Sequence, residues 1–413
     1  MKGIFVIIDG VGDLPNSQLS GKTPLEAAET PNMDFLATRG ELGELYPVNK
    51  TFVPESDEAI VSIFGNDLLK SSRGQLEARG SNVKLVRGDL ALRVNFASID
   101  SLEKGNITDR RAGRTLTTEE AQILSKALNK ITIACKFELK STIQHRAVLV
   151  FRGGFSDNVS GNDSTYTQGK FIDISKIIRC KPLDEDENSQ YTANVLNEFL
   201  EKAFHILDKH SVNEGRRKKG LLPANYLLVR GAGIEPPQLK QYKRWFTLSY
   251  MPCEVGFSLS SGMKVFSFDY PKLKSVDSYS NLWDGLNMAC KIAVKTIKKY
   301  YEDYDYAYIH LKETDLPGHD NKPMEKKKMI EYIDSTLFKF LRNFVPPKRI
   351  KVVVTGDHST PCKLKMHSAD SVPVLLYNFQ IPKEKKFSER EAKKGSLGEI
   401  YGKDFMKKIG FDK

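Results

Sequence analysis

"VVVTGDHSTPCKLKMH", Val352 to His367, decides how the chain is read. Three consecutive Val residues have the β-branched, wholly apolar character of a strand covered on both faces, and Gly356 turns the chain soon after them. Asp357 and His358 then stand side by side at the carboxyl end of the strand, with His367 nine positions beyond His358. Apolar packing does not require that arrangement. Ligand binding does, because ligands in parallel α/β sheets collect beyond the carboxyl ends of the strands.

Two other segments repeat the pattern. Ile4 to Ile8 is an apolar run that ends on Asp9-Gly10, and "YAYIHL" (306–311) leads into "KETDLPGHD", which holds Asp315 and His319. Taken singly, a strand-end Asp is as readily a turn former or helix cap, and a D-x-x-x-H pair is weak evidence for a metal. Taken together, these carboxylates and imidazoles converge on one sheet edge. Six O and N ligands exceed the needs of one tetrahedral ion and suit two, with ligand types appropriate to Zn or Mn. Paired ions lie about 4 Å apart and clamp the attacking and leaving oxygens of a phosphoryl transfer. "PESDEAIVSIFG" (54–65) offers a nucleophile in Ser56 at the start of a helix, where backbone N–H groups and the helix dipole favour an anion. An ordinary N-cap is the competing reading of that serine; the metal pattern favours the nucleophile.

Outward from these segments, strands and helices alternate. "TPLEAAETPNMDFLATRG" has helical spacing and predicts one helix closing on Gly40. From about residue 76 the texture shifts: "VKLVRGDLALRVNFASID", "ACKFELKS" and "HRAVLVFRGG" alternate like antiparallel strands around a helix whose Thr117 and Glu120 form a capping box. The acidic "LDEDENSQ" reads as a linker. A helix over roughly 191–210, the strand "NYLLVRG", a helix through "LWDGLNMACKIAVKTIKKYY", "YAYIHL", a helix over 323–344, "KVVVTG" and "VPVLLY" then restore the α/β order. The expected architecture is a mostly parallel sheet between helices, built from residues 1–75 and 190–413, with a smaller α+β domain inserted at 76–189.

Composition fits an ordinary globular protein. The 413 residues are 40% hydrophobic and 28% charged. No apolar run approaches the ~20 residues of a membrane helix, and the N-terminus reads as a first strand rather than a targeting segment. Five scattered cysteines without a CxxC suggest neither a disulfide framework nor a thiolate zinc site, so a cytoplasmic setting is expected. The net charge of +11 invites a nucleic-acid partner, yet Lys is interspersed with Glu and no nucleic-acid-binding motif is present. An anionic small substrate accounts for the charge as well. Nothing in the sequence fixes the oligomeric state.

Nearly end to end, the chain resembles the archaeal-type 2,3-bisphosphoglycerate-independent phosphoglycerate mutases of the alkaline phosphatase superfamily. The resemblance rests on "IIDGVGDLP", "KTPLEAAETPNMDFLA", "SDEAIVSIFG", "ITDRRAGR", "PANYLLVRGAG", "HLKETDLPGHD" and "TGDHSTPC" followed by "HSADSVPVLLY". It implies an alkaline-phosphatase-like core and two divalent ions (Mn, Zn, Mg or Co), with no 2,3-bisphosphoglycerate cofactor. One ion would be held by Asp9, Ser56, Asp357 and His358, the other by Asp315, His319 and His367. The implied reaction interconverts 3-phosphoglycerate and 2-phosphoglycerate through a phosphoserine at Ser56, with the inserted domain as a lid. Arg110, Arg111, Arg114 and Arg230 would clamp substrate anions, with Asp157, Asp163 and Lys312 nearby; His145 and His310 read better as packing residues. Two positions depart from the family: Ile60 stands where His is common, and Ser261 about where a Lys is usual. Those departures keep a second reading open, a metal-dependent phosphatase or another phosphomutase of the superfamily. A third reading, a non-catalytic relative, sits poorly with the complete ligand set.

Overall fold

The apolar runs that mark strands in the sequence do assemble into one sheet. The computed structural model describes every residue except 164–165, 168, 172–174, 275 and 413. Eight strands lie in the order Lys264–Phe266, Trp245–Leu248, Tyr306–Leu311, Gly3–Ile8, Lys351–Thr355, Val372–Tyr377, Gly40–Tyr46 and Gly398–Tyr401. The first five are parallel; Val372–Tyr377 runs against both of its neighbours, and Gly398–Tyr401 is parallel to Gly40–Tyr46. Gly3–Ile8 and Tyr306–Leu311 are buried at every position. Their side chains alternate between two cores. Ile4, Val6 and Ile8 face one with Val352 and Val354, while Phe5 and Ile7 face the other with Tyr308 and Val353. Burial on both faces is why these strands read as unbroken apolar runs.

A second, antiparallel sheet is built around the long strand Leu90–Ile99, which pairs with Ile107–Asp109, Arg146–Phe151 and Tyr226–Gly233; Phe137–Ser141 extends it. The helices Thr118–Leu128, with its capping box, and Glu187–Asp208 cover one face. The sequence placed "NYLLVRG" in the parallel sheet. It lies instead beside Leu90–Ile99, and its apolar run misleads because this strand too is covered on both sides. The expected boundary at 189 would cut through this layer, so we propose that the inserted unit extends to about residue 234. Helix Arg73–Gly80 joins the two units: it packs on Leu90–Ile99 and crosses Pro252–Ser260 of the larger one. At that crossing Gly80 faces the Pro252 carbonyl and Gly256 the Leu76 carbonyl, with no room for a Cβ on either glycine.

The expected single helix ending at Gly40 is two, Pro24–Ala27 and Pro31–Thr38. Pro31 disfavours helical geometry at Thr30 and opens the second helix at its first position. Gly40 is no cap but the first residue of a strand. The five cysteines are free, and no described helix is long and apolar enough to cross a membrane.

One ion pair ties the loops at the sheet's carboxyl edge. Lys326 and Asp13 have fully buried side chains 2.8 Å apart. Lys326 Nζ also donates to the carbonyls of Gly12 (3.2 Å) and Thr360 (3.0 Å), while Asp13 accepts from the backbone of Leu14 and Cys362. The loop after the first strand, the segment after Lys351–Thr355 and the helix Pro323–Ile333 meet at this pair. Lys326→Met should therefore leave Asp13 charged and uncompensated, at a cost of about 3–5 kcal/mol. Urea denaturation of the two proteins would show it, and a loss below 1 kcal/mol would mean that Asp13 finds another partner.

Candidate metal centre and phosphate cleft

Three neighbouring strand ends deliver the acids. Asp9 follows Gly3–Ile8, with its N–H donated to Leu311 O at 2.9 Å, and Asp357 follows Lys351–Thr355. Asp315 begins the short helix Asp315–His319, which brings His319 onto the same side one turn later. Asp357 Oδ1 accepts from the N–H groups of Gly10 and His358, both at 3.0 Å, so only Oδ2 is left for the site. His358 Nε2 lies 3.3 Å from Asp9 Oδ1 and 3.4 Å from Asp357 Oδ2. His319 Nε2 is 3.3 Å from Asp315 Oδ2, and His367 Nε2 is 3.6 Å from Asp315 Oδ1. All six of these predicted acids and imidazoles thus meet in one cluster, together with Ser56.

Two donor sets emerge. The ligating atoms of Asp315, His358 and His367 lie within 4.8 Å of one another, as do those of Asp9, His310 and Asp357. His310, set aside in the sequence as a packing residue, is fully buried, and its Nε2 points toward Asp357 Oδ2 at 3.6 Å. The signal was a histidine in an otherwise apolar strand, two residues before Lys312.

The donor chemistry fits divalent cations. Asp9 Oδ1, Asp357 Oδ2 and His310 Nε2 are buried and make no hydrogen bond. His319 Nδ1 faces the Lys365 carbonyl at 3.1 Å and His367 Nδ1 the Pro54 carbonyl at 2.8 Å. A carbonyl only accepts, so each ring donates from Nδ1 and turns its Nε2 toward the site. Burial drives His358 down to about 3, against the opposing pull of Asp357, so that ring is neutral as a ligand should be. Burial, and then the neighbouring Asp357, raises Asp9 well above the usual carboxylate range, even though Lys312 opposes both.

Ser56 occupies the first turn of helix Ser56–Ile63, and the N-cap is Glu55, which forms a capping box with Glu58. The capping role the sequence allowed for Ser56 is therefore taken by its neighbour. The serine hydroxyl is left at the site, 3.4 Å from His358 Nε2 and accepting from Lys312 Nζ at 3.2 Å. Lys312 also contacts Asp9, and Glu254 at 2.8 Å. Burial alone would lower its pKa; Asp9, Glu254 and Asp357 overcome that and keep it firmly protonated.

The cluster forms the floor of a cavity of about 460 Å³ between the two units. Of the predicted substrate contacts, Arg110, Arg111, Arg114, Asp163, Arg230 and Lys312 line it. Arg110 and Arg230 both pair with Asp163, Arg230 also reaches Glu55 at 2.7 Å, and Arg114 holds Asp320 of the larger unit at 2.6 Å. Asp157 is not among the lining residues. Its carboxylate accepts from Ile234 N–H at 3.1 Å and fastens a loop. The sequence reading missed Glu55, Arg73, Arg93, Arg146 and Glu254, and undervalued His145, all of which line the cavity. Nothing in their local sequence separates them from surface charges; they arrive through pairing of distant strands and helices.

Comparison with known proteins identifies the family. The model of the 2,3-bisphosphoglycerate-independent phosphoglycerate mutases matches residues 37–213. The enzyme of that description from Pyrococcus furiosus is 42% identical over 413 residues, covering 98% of this chain and 95% of its own. The chain belongs to the 2,3-bisphosphoglycerate-independent phosphoglycerate mutase family. A second mutase, from Thermococcus kodakarensis, is 40% identical over 98% of this chain and 95% of its own. Among solved structures, the PH0037 protein of Pyrococcus horikoshii superposes with a TM-score of 0.75 at 32% identity, covering 99% of this chain and 97% of its own. The cofactor-independent phosphoglycerate mutase of Thermoplasma acidophilum does so with a TM-score of 0.56 at 28% identity, covering 98% of each chain.

Neither sequence departure from the mutase family reaches the cleft. Ile60 is fully buried among Phe5, Ile7 and their neighbours, and Ser261 is a buried residue that caps the far end of helix Pro252–Ser260. Neither lines the cavity.

Protein stripped with a chelator and then given Mn should melt at a higher temperature. A ligand at a hundred times its Kd adds about 2.7 kcal/mol to a native state that alone binds it. Calorimetry reads the shift, and Asp357→Asn should abolish most of it; an equal shift in both proteins would place the ion elsewhere.

Proposed function

We infer that the protein interconverts 3-phosphoglycerate and 2-phosphoglycerate without 2,3-bisphosphoglycerate, through a phosphoserine at Ser56. The observation that carries this reading is the position of the Ser56 hydroxyl. It opens a helix, lies among carboxylates and neutral imidazoles, and faces a cavity whose opposite wall is rich in arginine.

Asp9, Ser56, Asp357 and His358 would hold one divalent cation, with His310 beside them, and Asp315, His319 and His367 the other. When bound, the pair would supply positive charge that favours the serine alkoxide and offsets charge on the transferring phosphoryl oxygens. The chain's own groups do the rest. The Lys312 ammonium and the first N–H groups of helix Ser56–Ile63 set a positive potential at Oγ, which favours both the nucleophile and the arriving phosphate. Ser56 Oγ attacks phosphorus, the bond from phosphorus to the 3-oxygen breaks, and that oxygen takes up a proton to match the one Ser56 gave up. In the second half the 2-hydroxyl of the retained glycerate loses its proton as it attacks the phosphoserine, and the Ser56 oxygen leaves. Arg110, Arg111, Arg114 and Arg230 hold the glycerate carboxylate and the phosphate, and Asp163 pre-orients Arg110 and Arg230.

Glycerate must stay while water is kept out, otherwise the phosphoserine hydrolyses. The inserted unit supplies that cover. Contacts between the units that close it over the floor include Arg114 with Asp320, Gln144 with Asn281 at 2.8 Å, and Lys272 with Glu119 at 2.6 Å.

With Mn present, an enolase-coupled assay should register 2-phosphoglycerate from 3-phosphoglycerate, with no inorganic phosphate released in the same tube. Ser56→Ala should lower kcat by at least a thousandfold. Phosphate release without 2-phosphoglycerate would move the protein to the phosphatases.

A further inference from the structure

We propose that Thr360 is the positioning residue that sets the proton on His358 and ties the two ligand groups together. The inference rests on the assignment of those groups under the mutase reading.

The argument counts protons. A threonine hydroxyl has one to give. Thr360 Oγ1 lies 2.7 Å from Asp315 Oδ1, a carboxylate oxygen that can only accept, so the proton goes there. His358 Nδ1 lies 3.0 Å from the same hydroxyl oxygen, which has nothing further to donate, so His358 must donate to it from Nδ1. The ring is therefore the Nδ1–H tautomer, and its Nε2 lone pair faces Asp9, Asp357 and the Ser56 hydroxyl. His319 and His367 reach the same tautomer through backbone carbonyls. Of the three imidazoles assigned as ligands under that reading, His358 is the one that depends on a side chain, and that side chain is anchored to Asp315, which the same reading assigns to the other ion.

Thr360 cannot turn away from this duty. Its side chain is fully buried, its N–H donates to Gly12 O at 3.0 Å, and its carbonyl accepts from Lys326 at 3.0 Å. Gly10, at a φ of +59°, passes so close that a Cβ there would lie 2.6 Å from Thr360 Oγ1 and 2.9 Å from Asp315 Oδ1. The Lys326–Asp13 pair thus reaches the metal centre through Thr360, although neither of its members touches a ligand.

Thr360→Val keeps the shape and removes the hydroxyl; Thr360→Ser keeps the hydroxyl. In apo protein carrying 15N-labelled histidine, long-range 1H–15N correlation spectra should show His358 as Nδ1–H in the parent and in Thr360→Ser, and as a tautomer mixture in Thr360→Val. Mn affinity, read by competition with a chromophoric chelator, should fall 10- to 100-fold in Thr360→Val and recover in Thr360→Ser. An Nε2–H tautomer in the parent apo protein overturns the proposal even if Thr360→Val does not fold, and it leaves the mutase reading untouched. Parent-like affinity in Thr360→Val also overturns it. A parent protein that binds no Mn overturns both readings.

Discussion

Three carboxylates sit beyond adjacent strand ends, Asp9 and Asp357 buried and Asp315 half-buried. Asp9, Asp315 and Asp357 cannot all be charged there without compensation, since buried charge is costly unless it is paired or coordinated. Much of the local structure answers that demand. Lys312 projects into the cluster, Gly10 and His358 bring their N–H groups onto Asp357 Oδ1, and Thr360 bonds Asp315. These contacts leave some oxygens and imidazole nitrogens bare, and cations of high charge density would complete the balance. The parallel sheet matters because it brings three strand ends side by side, and its apolar body excludes water beneath them.

How far the sequence shows this depends on the range of each interaction. The parallel strands were legible because burial on both faces leaves unbroken apolar runs, and the cluster of acids and imidazoles because strand ends place Asp and His where packing has no use for them. The same cue failed at Tyr226–Gly233, which is equally apolar but belongs to the antiparallel sheet. Burial is local, whereas the choice of partner strand is not. Pro31 was visible in the sequence, but helical spacing on either side hid its effect at Thr30. In the cleft, Arg110, Arg111 and Arg114 announced themselves as a cluster. Arg73, Arg93 and Glu254 did not, because each stands alone in its element and meets the others only through packing between distant segments. His310, expected as a packing residue, is fully buried in its strand, and its ring also falls within a candidate donor set with Asp9 and Asp357. Ile60 and Ser261 show the reverse error: a residue that differs from its family was given functional weight, and the fold puts it in the core.

Electrostatic links between the units run through few residues. Glu55, next to Ser56, pairs with Arg230 and is within 3.5 Å of Arg73; Arg230 in turn pairs with Asp163, as does Arg110. This chain of alternating charge leads from the helix that Ser56 opens into the inserted unit. Charged pairs with little exposure respond strongly to any anion placed among them, because neighbouring dipoles and water screen them poorly. Under the proposed mutase reading, a phosphate arriving at Ser56 would compete with Glu55 and Asp163 for the same guanidinium groups, and binding and cover would be linked by shared partners.

The contact of Arg73–Gly80 with Pro252–Ser260 has an implication for how such proteins diversify. Two backbones that touch through glycine leave no side chains to renegotiate, so this joint is fixed by main-chain geometry and tolerates little drift. The helix is also followed, after residues 81–89, by the strand Leu90–Ile99 that organises the second sheet, and the last of that strand's partners returns at Tyr226–Gly233. The portable piece is accordingly not the stretch whose texture stands out in the sequence. On the boundaries proposed above it would start with the helix and end with the returning strand, and an exchange of covers between relatives that broke inside those limits would sever a sheet and not a linker.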